Sequence, residues 1–199
     1  MSGDVPLAEL LDEVRACTVC TDLPLGPRPV LQADAAARIL IIGQAPGTRV
    51  HATGIPWNDP SGATLRRWLD VDRETFYDPR CFAIVPMGLC YPGRGRSGDL
   101  PPRPECAPRW HPRLLGALPN VQLTLLVGRY AQDRYLGLRT DSVTARVKRF
   151  RSFLRHRQAP LPHPSPRNRL WLRERPWFEA EIIPELRSYV GEILEQSSR

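Results

Sequence analysis

Residues 37–43 read ARILIIG and run straight into a Gly/Pro turn at 43–47, GQAPG. Consecutive apolar residues without polar alternation mark a strand buried on both faces, the kind that parallel sheets contain. Residues 81–87 (CFAIVPM) and 121–127 (VQLTLLV) have the same character, and 160–163 supply a short extended piece. Helical spacing fills the intervals. It is read over 5–16 with Asp4 as N-cap, from Ser61 (SGATLRRWLDV) with that serine as N-cap, and from about Pro104. It returns after Gly128, over 142–157 as a basic amphipathic helix, over 168–174, and from about 177 to 196. Residues 91–104, YPGRGRSGDLPPRP, are too rich in Gly and Pro for either element and read as a long loop. Strands alternating with helices predict an α/β fold, a parallel sheet with helices on both faces, in one domain spanning 1–199. Ligands of such sheets sit at the carboxyl ends of the strands, which singles out 43–47, 87–90 and 163–168.

The 199 residues are 42% hydrophobic and 25% charged, which fits a chain that buries a real core and excludes a disordered one. Its longest apolar runs are far too short to cross a bilayer, and no charged-then-apolar leader is seen. The expectation is a cytoplasmic protein without a membrane partner, in which five cysteines do not form a disulfide framework. The net charge of +7 is uneven: residues 146–175 hold ten basic side chains against the single acid Glu174, so the rest of the chain is slightly acidic. Of all the basic residues only Lys148 is lysine. An arginine bias in coding accounts for that, yet a guanidinium fork also suits phosphate. The block reads as a footprint for a polyanion, or as a solvated helix face.

Four motifs carry chemistry. The GQAPG turn can aim backbone N–H groups into the crevice, although a plain strand-to-loop turn gives the same sequence. Residues 53–62, TGIPWNDPSG, place Trp57, Asn58 and Asp59 just before a helix. Trp57 is either a core aromatic or a stacking platform for a base, worth about 1–3 kcal/mol. Residues 163–168, HPSPRN, hold a histidine in a stiff loop among arginines, a better place for chemistry than most lone histidines have. Cys17 and Cys20 form a C-x2-C pair, and Cys90 and Cys106 bracket the Gly/Pro/Arg loop, leaving Cys81 as a strand thiol. Four such thiolates can hold zinc or an iron–sulfur cluster; ordinary buried thiols are the alternative.

Taken in order, these motifs resemble the uracil-DNA glycosylase superfamily, closest to its iron–sulfur family 4 and family 5 branches. GQAPG resembles the first motif, TGIPW the segment after it, DPSG the DASG of family 5, and HPSPRN the second motif. The resemblance implies a three-layer αβα sandwich with a central four-stranded parallel sheet, and a monomeric hydrolase of base excision repair. Such an enzyme extrudes a damaged base from DNA into a pocket and cleaves its N-glycosidic bond. It implies that His163 stabilises charge on the leaving base and that Asp59 takes the water-activating role. Trp57 would stack on the base, with Gly43, Gln44, Ala45, Pro46 and Gly47 lining the other side. Ser165, Pro166, Arg167 and Asn168 would meet DNA, Arg167 at the position of the residue wedged into the duplex. Cys17, Cys20, Cys90 and Cys106 match the ligands of a structural 4Fe–4S cluster.

The departures matter as much. Ala45 stands where family 1 has its water-positioning aspartate, and Gly47 where it has the tyrosine that excludes thymine. Pro86 replaces the asparagine with which families 4 and 5 read uracil. Recognition would then fall to backbone groups near Met87 and Gly88, or to Asn58. No histidine lies between Cys90 and Cys106, so the branch that traps DNA covalently is not matched. A non-catalytic nucleic-acid-binding module on the same scaffold is the competing expectation, and an iron–sulfur redox protein a third.

Overall fold

The computed structural model describes residues 6–96, 98–138 and 140–195. The first helix, α1 (Leu7–Arg15), follows Pro6; Asp4, expected as its cap, lies outside the described residues. The chain then forms β1 (Ile39–Ile42), α2 (Thr48–Thr53), α3 (Pro60–Leu69), α4 (Arg73–Tyr77) and β2 (Phe82–Ile84). A small hairpin, β3 (Arg94–Gly95) with β4 (Gly98–Asp99), precedes α5 (Cys106–Gly116), β5 (Leu123–Val127) and α6 (Arg129–Tyr135). The chain continues through α7 (Val143–Lys148), α8 (Phe150–Leu154), β6 (Gln158–Leu161), α9 (Arg169–Arg173) and α10 (Ile183–Glu195).

Four strands form one parallel sheet in the order β2-β1-β5-β6, as the alternation of elements predicts. Side chains of β1 alternate between the two faces. Ile39 and Ile41 enter a core closed by Leu65 and Trp68 of α3, Phe150 of α8 and Leu186 of α10. Leu40 and Ile42 enter a second core with Leu10 and Val14 of α1 and Trp110 and Leu114 of α5. The result is three layers. The chain steps from β1 to β2 on one side and returns to β5 on the other, so a crevice opens at the carboxyl end of β1.

Several local expectations are corrected. The cap of α3 is Asp59, not Ser61: its Oδ1 accepts the Gly62 N–H at 2.8 Å, with Pro60 in the first turn and Ser61 inside the helix. Asp-Pro serves better here because proline's fixed φ suits the first helical position. The segment 91–104 is not wholly a loop, since it folds back as the β3–β4 hairpin. Cys81 is half-buried in the turn before β2 rather than within a strand.

The single basic helix over 142–157 is two short helices that meet at Arg149. Its basic residues are also not all free for a polyanion. Arg146 is fully buried, paired with Asp133 Oδ1 at 2.6 Å and donating to the Leu138 carbonyl. Arg149 pairs with Asp141, Arg151 with Glu185 and Arg175 with Glu174. Three acids from outside the block, Asp133, Asp141 and Glu185, therefore answer part of its charge within the fold.

Candidate active site

The crevice holds a cavity of about 500 Å³. Its floor is the turn after β1, where Gly43, Gln44, Ala45, Pro46 and Gly47 all line it. The turn is fixed because the β1–β2 ladder runs past the strands: Met87 N–H donates to the Gly43 carbonyl and Gly88 N–H to that of Gln44, each at 2.9 Å. The Gln44 side chain ties the floor to the hairpin by donating to the Leu100 carbonyl at 3.0 Å.

Trp57 and Asp59 form one wall, just ahead of α3. Trp57 lies over Gly43, where a Cβ would come within 2.8 Å of its ring. It adopts a left-handed backbone conformation, φ 54°, a strain that persists only where its surroundings enforce it. Gly62 is what allows the turn, because a Cβ there would sit 1.7 Å from the Trp57 carbonyl oxygen.

His163 enters from the end of β6, with Ser165, Pro166, Arg167 and Asn168 beside it on the cavity wall. Ser165 caps the short turn Pro166–Asn168, and Asn168 Nδ2 donates to the His163 carbonyl at 2.7 Å. A Cβ on Gly128 would stand 3.6 Å from His163, in ordinary contact, and the His163 ring lies 5.6 Å from that of Trp57. Burial lowers the His163 pKa, opposed first by Asp59 and then by Asp99. Burial thus disfavours the charged form of the ring.

Two sequence candidates do not reach the cavity. Asn58 accepts from the Arg73 guanidinium at 3.3 Å, and Met87 is not among the lining residues. The backbone N–H groups of Met87 and Gly88, expected to read the base, are already used by Gly43 and Gln44. Pro86 does line the cavity, but its carbonyl accepts from His111 Nε2 at 3.0 Å, and Tyr135 Oη lies 2.5 Å from Nδ1 of the same ring. Burial holds His111 neutral, its pKa pushed down to about 4. Neither His111 nor Tyr135 carried a motif that could have marked it.

Asp99 of β4 also lines the cavity, together with Gly98. Sequence reasoning missed it because the surrounding Gly/Pro run read as a featureless loop. Arg167 lies against Gly98, where a Cβ would fall 1.9 Å from its Nη1, so the hairpin and the His163 loop interlock.

A second, small cavity of about 20 Å³ is lined by Cys17, Cys20, Cys90 and Cys106. Burial pushes the thiols of Cys20, Cys90 and Cys106 up to about 11 each. Cys20 also donates to Glu105, and Leu89 N–H donates to the Cys106 sulfur at 3.3 Å. Four soft donors from three chain segments suit zinc or iron–sulfur chemistry. As the side chains stand, no three Cys, His, Asp or Glu among the described residues converge closely enough to hold a metal ion.

Fold and crevice define an α/β protein with a cavity at the carboxyl ends of a parallel sheet, lined by Trp57 and His163. The sequence pattern of the uracil DNA glycosylase superfamily matches residues 31–187, and the chain belongs to that superfamily. Its members are generally DNA glycosylase hydrolases, so the implied substrate is DNA. Among the described residues no helix is long and apolar enough to cross a membrane.

Proposed function

We propose that this chain is a monofunctional DNA glycosylase that hydrolyses the N-glycosidic bond of uracil or a related deaminated base. The base leaves the stack, enters the crevice, and is cleaved there. The observation that carries this reading is His163 beside Trp57, their rings 5.6 Å apart, inside a cavity of about 500 Å³. Trp57 stacks on the base while His163 donates to a base oxygen as negative charge develops on it. Arg167 and its neighbours Ser165, Pro166 and Asn168 meet the DNA at the mouth. With Pro86 in place of an amide, the pocket reads its base with fewer polar partners, and related deaminated bases compete with uracil.

The experiment is a panel of oligonucleotides carrying uracil, hypoxanthine, xanthine or a mismatch, scored for released base. Loss of a fixed donor costs about 100- to 1,000-fold in rate, and that is the expectation for His163→Ala on the preferred lesion. Salt-dependent binding with no release from any lesion would favour a non-catalytic damage-binding module, the reading that Pro86 supports.

We also infer that Cys17, Cys20, Cys90 and Cys106 hold a structural 4Fe–4S cluster, which when bound would order the 91–105 segment. The support is the cavity that the four cysteines line in common. Iron, sulfide and visible absorption of anaerobically purified protein test it, and a colourless protein with one zinc refutes it. The protein is proposed to act as a cytoplasmic monomer.

A further inference from the structure

We infer that Asp99, on the β3–β4 hairpin, holds the attacking water and faces the sugar of the extruded nucleotide. This rests on the glycosylase reading above and assigns a residue that the superfamily motifs in this chain do not include.

Breaking the bond between C1′ and the base nitrogen sends the electron pair away on the base and leaves positive charge on the sugar. A water oxygen then donates a pair to C1′, and a carboxylate takes the proton. The base anion gains a proton from solvent, so the products are a free base and a sugar bearing a hydroxyl at C1′. The step needs a carboxylate in the crevice whose oxygens are not already committed.

Ala45 supplies none from the floor. Asp59 is in the cavity, but one of its oxygens accepts the Gly62 N–H and caps α3. Asp99 differs on both counts. It lines the same cavity from the β3–β4 hairpin at an exposed position, and among the described residues no donor bonds its carboxylate. Its Oδ2 lies 3.4 Å from where a Cβ on Gly47 would stand, which puts the carboxylate beside the floor turn.

The hairpin that presents it is anchored. Leu100 N–H donates to the Gly93 carbonyl at 2.9 Å, and Gln44 holds the Leu100 carbonyl from the floor. Asp99 is close enough to His163 to oppose the effect of burial on that imidazole. The two residues therefore share one space, with the donor for the base on one side and the acceptor for water on the other.

The test uses the full chain and whichever of the uracil, hypoxanthine or xanthine oligonucleotides the unaltered protein cleaves, under single-turnover conditions. Asp99→Asn is expected to slow base release at least about 100-fold while DNA affinity and melting temperature hold. Asp59→Asn, which keeps a capping oxygen, is expected to lose less. Asp99→Ala should regain rate in added formate, which a purely structural role would not allow. Asp99→Asn within threefold of the unaltered rate overturns the assignment while leaving the glycosylase reading intact. So does an unchanged rate with a changed choice of base, which would make Asp99 a base-reading residue. Failure of the unaltered protein to release any base removes the glycosylase reading, and Asp99's task with it.

Discussion

Asp59 does two separable things, and two substitutions divide them. Its Oδ1 caps α3 through the Gly62 N–H at 2.8 Å, while its charge raises the His163 pKa against burial. Asp59→Ala removes both. Losing such a cap costs about 1 kcal/mol, or about 2–4 °C of melting temperature in a chain of this size. Asp59→Asn keeps the capping oxygen and removes only the charge, so its melting temperature should stay within about 1 °C. In both variants the His163 pKa should fall further below 6.5, because the strongest opposing influence is gone and burial remains. Thermal melts followed by circular dichroism read the first effect, and NMR titration of the His163 ring proton reads the second. Equal destabilisation by the two substitutions would show that the side-chain oxygen does not cap α3. A His163 pKa that stayed put or rose in Asp59→Asn would refute the proximity of the two groups.

Gly62→Ala should be more damaging than either, since its Cβ would meet the Trp57 carbonyl 1.7 Å away. Overpacking costs about 1–3 kcal/mol and more against backbone, so soluble yield and melting temperature should both drop, and a variant melting normally would contradict the geometry. Arg146→Leu removes the buried partner of Asp133, which keeps Arg129 at 3.2 Å, so the cost should fall below the about 3–5 kcal/mol of an orphaned buried charge. Urea unfolding should show that loss, and DNA affinity of the folded fraction should not change, whereas Arg167→Ala should lower affinity without loss of stability. His111 is held neutral at a pKa of about 4 against about 6.5 when unfolded. The unfolded chain therefore takes up a proton first as pH falls, and stability is lost below about pH 6.5 and levels off near 4. From pH 7 to 5 this amounts to about 2 kcal/mol, added to by His51 and His163, whose pKa values are also lowered. A flat urea midpoint over that interval would contradict the buried neutral ring.

The parallel sheet was legible because β1 and β5 are short apolar runs bounded by turn residues, a signal that depends on local composition alone. The floor, Trp57 and the His163 loop were legible for the same reason, each lying next to a strand end or a helix start. Asp99 was not, because its place depends on a two-residue ladder with Arg94 and on the contact of Gly98 with Arg167, which is remote in sequence. The fate of the basic block was hidden similarly. Whether Arg146 points to solvent or to Asp133 is decided by packing between α6 and α7, and charge counting treats both outcomes alike. Pro86 shows the limit from the other side: its identity signals a missing amide, but only the fold reveals that His111 occupies the carbonyl.

The continuation of the β1–β2 ladder beyond the strands has a consequence for how such a pocket can diversify. Gly43 and Gln44 are held by main-chain groups of Met87 and Gly88, so the bonds that fix the floor use no side chain at Gln44 or Met87, while a Cβ at Gly43 or Gly88 would collide with Trp57 or Pro102. Residues on the walls can be exchanged one at a time without disturbing the surface on which the ligand rests. The wall at Pro86 can therefore change what the cavity accepts while the same floor is inherited.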